Sequence, residues 1–62
     1  MITPILQKAL ENEKIAYMVF SRYSALSTNP AQQSLLEELA QEELEHLDSL
    51  KNVLKRHVDK YP

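Results

Sequence analysis

The chain has 62 residues, a formal net charge of −2 and no cysteine, which limits it to one small domain and excludes disulfides and thiolate metal sites. It has no cluster of Lys and Arg, so nucleic acids and anionic membranes are poor partners. No apolar run approaches the ~20 residues of a membrane-spanning helix, and the N-terminal residues lack the pattern of a signal peptide. Glycine is absent, and prolines occur only at positions 4, 30 and 62. We therefore expect an all-α, cytoplasmic protein.

The first predicted helix begins at Thr3-Pro4, because threonine is a good N-cap and proline suits the first helical position. It runs from about 4 to 25, with apolar residues recurring at the period of a helix. Glu13 lies on the centre line of this apolar stripe. A carboxylate at such a position is unfavourable unless it is paired or coordinates a metal.

Residues 26–29 form the predicted turn, and Asn29-Pro30 begins a second helix by the same capping chemistry. This helix runs from 30 to about 58. Its apolar stripe is interrupted by Glu43, and His46 follows three residues later on the same face. Two helices joined by a short turn should fold back on each other, so we expect residues 1–62 to form a single antiparallel hairpin.

Glu13 and Glu43 are equally distant along the chain from Thr28, in the turn, so they should lie at the same level of the hairpin. One hairpin offers too few ligands for a pair of metal ions. A two-fold dimer forming a four-helix bundle would double the set and complete a two-metal site with Glu13, Glu43 and His46 as metal ligands and catalytic residues. Carboxylates with imidazole suit Fe or Mn, and Zn is also compatible. Tyr17, four residues after Glu13, is expected to hydrogen-bond a ligand.

Two patterns cover most of the chain, Ala9-Leu10-x-x-Glu13-x-x-Ala16-x-x-x-Phe20 and Leu35-Leu36-x-x-Leu39-Ala40-x-x-Glu43-x-x-His46. They resemble the first two helices of rubrerythrin-like proteins in the ferritin-like superfamily. The architecture is similar to that of encapsulated ferritins, whose two-helix chains build a di-iron site across a subunit interface. The resemblance implies a ferritin-like four-helix bundle with two irons per dimer and ferroxidase activity, in iron handling or oxidative-stress defence. It also implies that the protein could reside inside a protein nanocompartment.

Other interpretations of the same residues remain open. Helix 2 could be rotated so that Glu43 and His46 reach solvent, which would leave a non-enzymatic structural or partner-binding hairpin dimer. A third hypothesis is a haem held by His46 or His57, although His57 is better explained as a partner of the helix dipole. Three carboxylates outside the apolar stripes are expected to be solvated: Glu11, Glu42 and Glu45.

Further apolar residues lie outside the predicted metal site. One set occupies the side of helix 1 away from Glu13: Ile15, Met18, Val19 and Leu26. Another set lies where helix 2 extends beyond helix 1: Leu54, Val58 and Tyr61. Exposed apolar patches often mark interfaces, so we expect homo-oligomers larger than the dimer.

Overall fold

The computed structural model describes residues 3–60, which form two α-helices and a short connection. Helix α1 spans Thr3–Leu26 and helix α2 spans Pro30–Lys60, compared with the predicted 4–25 and 30–58. The connection is 27–29, one residue shorter than the predicted turn. The capping contact of the Thr3 side chain and the overhang of Tyr61 lie outside the described residues. Within residues 3–60, neither helix is both long and apolar enough to cross a bilayer.

The connection between the helices is held by the cap at Asn29. The Asn29 side-chain oxygen accepts hydrogen bonds from the backbone N–H groups of Ala31, at 2.9 Å, and Gln32, at 3.1 Å. These are two of the N–H groups that have no partner within a helix. Pro30 occupies the first helical position, where its missing N–H is not needed. The start of α2 is therefore fixed by local chemistry.

The two helices pack antiparallel, which confirms the predicted all-α hairpin. Near the turn, the Ser24 hydroxyl of α1 donates a hydrogen bond to the Gln33 carbonyl of α2 at 3.3 Å. Further from the turn, Glu13 of α1 contacts His46 of α2. As α1 is followed away from the turn, its contacts therefore move further along α2, and the two helices run in opposite directions.

The hairpin has a thin core. Among the described residues, Ala40 and Leu47 are the buried apolar side chains and Ser24 is the buried polar one. Many large apolar side chains are exposed instead: Ile5, Ile15, Met18, Val19, Tyr23, Leu26, Leu35, Leu44, Val53 and Val58. The chain exposes 4973 Å², whereas a compact monomer of its mass would expose roughly 4,100 Å². A lone hairpin thus leaves apolar surface that a compact protein would bury.

Candidate metal centre

Glu13 of α1 meets Glu43 and His46 of α2 between the two helices. Nδ1 of His46 lies 3.5 Å from Oε2 of Glu13 and 3.7 Å from Oε2 of Glu43. Each of the three residues offers one ligand atom, and these atoms lie within 4.8 Å of one another. Within residues 3–60, no other group of three His or acidic residues is close enough to share a metal ion in this way.

Two features of the sequence bring these side chains together. Glu43 and His46 are three residues apart on α2, so both point to the same side of the helix. Glu13 reaches them because the short connection around Thr28 sets the antiparallel register, as the equal spacing of Glu13 and Glu43 from Thr28 predicts. All three predicted ligands thus lie on helices, and the connection contributes only the register.

Exposure to solvent differs sharply among the three residues. The side chain of Glu43 is 18% exposed and that of Glu13 is 29% exposed, whereas that of His46 is 58% exposed. The carboxylates are therefore partly buried between the helices, and the imidazole lies at the edge. The alternative in which both residues of helix 2 turn to solvent describes His46 but not Glu43.

One oxygen of this group has no hydrogen-bond partner. Oε2 of Glu13 is buried, and no described residue donates a hydrogen bond to it. The 3.5 Å separation from His46 exceeds the ~2.7–2.9 Å of a charge-assisted hydrogen bond, so the imidazole does not satisfy it. Buried polar atoms nearly always have a partner, and an exception calls for an explanation such as an ordered water or an ion.

The three side chains could hold a divalent cation. Nitrogen and oxygen ligands lie ~2.0–2.2 Å from such an ion, so neighbouring ligand atoms on one ion are roughly 3–4 Å apart. The distances from His46 Nδ1 to the two carboxylate oxygens, 3.5 and 3.7 Å, fall in that range. Carboxylate and imidazole together suit Mn, Fe or Zn. Three ligand atoms leave room in the coordination shell for ligands from outside the hairpin.

Tyr17 is directed to a different part of the hairpin. It lines a shallow groove together with Ser24, Ala40 and Leu44. Leu44 and His46 are two residues apart, which is about 200° around the helix, so this groove and the imidazole lie on opposite sides of α2. Among the described residues the Tyr17 hydroxyl makes no hydrogen bond to either carboxylate of the site. The expected hydrogen bond from Tyr17 is therefore not formed within the hairpin.

The other candidate ligands lie apart from the group. Glu11, Glu42 and Glu45 are exposed, and Glu11 contacts Lys8 at 3.7 Å. His57 is half-buried on α2, eleven residues beyond His46 and therefore about 16 Å further along the helix. None of these residues belongs to the group whose ligand atoms lie within 4.8 Å of one another.

No family model, curated protein or solved structure matches the chain. The resemblance to ferritin-like proteins therefore stays a prediction that rests on the patterns in the two helices. The function has to be inferred from the geometry and chemistry of the site.

Proposed function

We propose that two copies of the chain associate into a four-helix bundle that binds a pair of iron or manganese ions and acts as a ferroxidase. Each hairpin would contribute Glu13, Glu43 and His46, so a two-fold pair would supply four carboxylates and two imidazoles. Four carboxylates balance the charge of two divalent cations. The same donor set serves ferritin-like di-iron and di-manganese proteins.

The observation that carries this proposal is the buried oxygen of Glu13, which has no hydrogen-bond partner within residues 3–60. An anionic oxygen in this position is unfavourable unless something neutralises it. Glu43 is partly buried beside it and adds negative charge, and His46 faces both carboxylates. A cation held between these three side chains accounts for all of these features together.

The surface around His46 supports the dimer. Leu39, His46 and Val53 recur every seven residues on one side of α2, and Leu35 lies on the same side within about 40°. Leu35 is 55% exposed and Val53 is 40% exposed. A second hairpin packed here would bury these apolar side chains and enclose the imidazole, which is largely exposed in a single hairpin.

The proposed reaction takes Fe(II) as substrate. Bound iron would supply the redox chemistry, since each Fe(II) gives up one electron. Two ions then supply the two electrons that, with two protons from water, reduce dioxygen to hydrogen peroxide or hydrogen peroxide to water. The side chains of Glu13, Glu43 and His46 would hold the ions and balance their charge. The apolar residues of the dimer face would limit access of water.

The test is an anaerobic titration with Fe(II) followed by admission of air. We expect about one iron bound per chain, as two per dimer requires, and a ferric absorption band that develops after oxygen enters. Glu43→Ala should lose both signals. Glu45→Ala removes an exposed carboxylate two residues away and should keep both. Equal binding by the two variants would contradict the proposal.

The exposed apolar surface also favours a second candidate, a structural or partner-binding hairpin dimer without a metal. In that case Leu35 and Val53 would still be covered by a partner, but the carboxylates would have no role. Thermal melting in Fe(II), in Mn(II) and in a chelator separates the candidates, because only a metal-binding dimer should melt at a temperature that depends on the metal.

A further inference from the structure

Helix α1 carries a second exposed surface, which we call the α1 strip and define as Glu11, Ile15, Met18 and Arg22. Spacings of four, three and four residues keep these side chains within an arc of about 60° on one side of the helix. All four are exposed, with Ile15 at 59% and Met18 at 67%. Ile15, Met18 and Arg22 also line a shallow groove. The strip is therefore an apolar centre with a charged residue at each end.

The α1 strip lies on the opposite side of α1 from the candidate metal centre. Its middle is about 170° around the helix from Glu13, so a partner that covers the metal centre would leave the strip exposed. Among the described residues the Arg22 side chain makes no ion pair or hydrogen bond. Glu11 has only a contact with Lys8 at 3.7 Å, between two exposed side chains, and such contacts are weak.

The charges of the α1 strip make it complementary to itself. The point midway between Glu11 and Arg22 is also midway between Ile15 and Met18. If two α1 helices pack antiparallel about a two-fold axis through that point, Glu11 lies opposite Arg22 of the partner subunit, and this pairing occurs twice. Ile15 then lies opposite Met18 of the partner subunit. A two-fold contact needs this kind of self-complementary surface.

We propose that the α1 strip binds the α1 strip of a second copy of this chain, in an antiparallel contact with two Glu11–Arg22 ion pairs around an Ile15–Met18 centre. This contact does not depend on the proposed metal function. Together with the dimer at the metal centre, it gives each chain two different two-fold interfaces. Two such interfaces build assemblies of four or more chains. These assemblies are closed if the successive rotations between chains return to the first chain, and they are open-ended if the rotations do not.

The test is a charge exchange followed by measurement of the mass in solution, by light scattering or sedimentation on the full chain. Glu11→Arg should set two arginines against each other, and Arg22→Glu two glutamates, so each should lower the mass at least two-fold from that of the unmodified chain. The double variant E11R/R22E restores opposite charges and should restore the mass. Glu38→Arg makes the same charge change at an exposed position of α2 and should leave the mass unchanged.

Several results would overturn the proposal. The first is that neither Glu11→Arg nor Arg22→Glu changes the mass, and the second is that Glu38→Arg lowers the mass as much as they do. If circular dichroism shows that the single variants lose helix content, the double variant provides the test. A folded double variant with a reduced mass overturns the contact, whereas a double variant with the original mass supports it. Measurement of iron binding separates the α1 contact from the proposed metal function. Glu11→Arg should still bind metal. If no variant binds metal, the changes in mass on charge exchange still test the α1 contact.

Discussion

Polar side chains lie between the two helices both near the turn and at the candidate metal centre, and the two places differ in whether the buried polar atoms have hydrogen-bond partners. At the turn, the buried Ser24 hydroxyl donates to the Gln33 carbonyl and the Asn29 side chain caps α2, so the polar groups are satisfied. At the candidate metal centre, Oε2 of Glu13 is buried without a hydrogen-bond partner in residues 3–60. Ser24 and Glu13 are eleven residues apart and nearly aligned along α1. The buried polar group near the turn has a hydrogen-bond partner, and the unpartnered oxygen of Glu13 is the observation on which the proposed metal site rests.

The turn also sets the geometry of the centre. Ser24 and Ala40 are among the most buried residues of the hairpin, and both are small, so the helices can approach closely on the turn side of the site. Glu43 follows Ala40 by three residues, on nearly the same side of α2. Close packing near the turn therefore limits how far Glu13 and Glu43 can separate, even though the carboxylates would repel each other without a cation.

The largest expected effect is a metal-dependent rise in the melting temperature. Mn(II), or Fe(II) without air, at about a hundred times its dissociation constant should stabilise the folded protein by about 2.7 kcal/mol. In a domain this small, that corresponds to a rise of about 10–20 °C. Glu43→Ala removes a ligand and should abolish the rise, which circular dichroism at the helix bands would follow.

Two controls make this measurement specific. Glu45→Ala should keep the full rise, because its carboxylate is exposed and lies off the site. A chelator should return the unmodified protein to the melting temperature of its metal-free form. A similar rise in Glu43→Ala would mean that the metal stabilises the chain from somewhere else.

A smaller stabilisation, seen without metal, is expected from Glu13→Leu. In metal-free solution the substitution removes the unpartnered oxygen and should stabilise the hairpin by about 1.5 kcal/mol, within the usual penalty for an unsatisfied buried group. The same variant should lose the metal-dependent rise. Urea denaturation in a chelator measures the change, and Glu45→Leu on the exposed side should change stability by less than about 0.5 kcal/mol. Destabilisation by Glu13→Leu would show that Glu13 is satisfied in solution.

The hairpin and the meeting of its carboxylates could be predicted from the sequence because both depend on local rules. Asn29-Pro30 is a strong helix start, and α2 begins at Pro30. The equal spacing of Glu13 and Glu43 from Thr28 put them at one level, and both now lie within 4 Å of His46. The last turns of the helices depend on weak preferences, and α1 and α2 end at Leu26 and Lys60 instead of at about 25 and 58.

The parts that sequence could not supply depend on small rotations and on partners. Tyr17 follows Glu13 by four residues, and this spacing predicts that the two side chains lie on the same face. In the hairpin, however, Tyr17 lines the groove with Ser24 and Leu44. The 58% exposure of His46 could not be predicted either, because it depends on how α2 is rotated about its own axis against α1. A single sequence specifies each helix face but not which faces meet.

The smallest expected effect tests whether the turn and the metal centre are separable. Asn29→Ala removes the acceptor for the N–H groups of Ala31 and Gln32 and should destabilise the protein by about 1 kcal/mol, whereas Asn29→Ser retains a capping oxygen and should change little. Glu43 is about 21 Å further along α2, so both variants should bind metal with unchanged stoichiometry. Denaturant titration and metal titration of the same samples provide the comparison. If Asn29→Ala lost metal in proportion to stability, the cap would have to be regarded as part of the site, since the position of the carboxylates would then depend on the register that the turn sets.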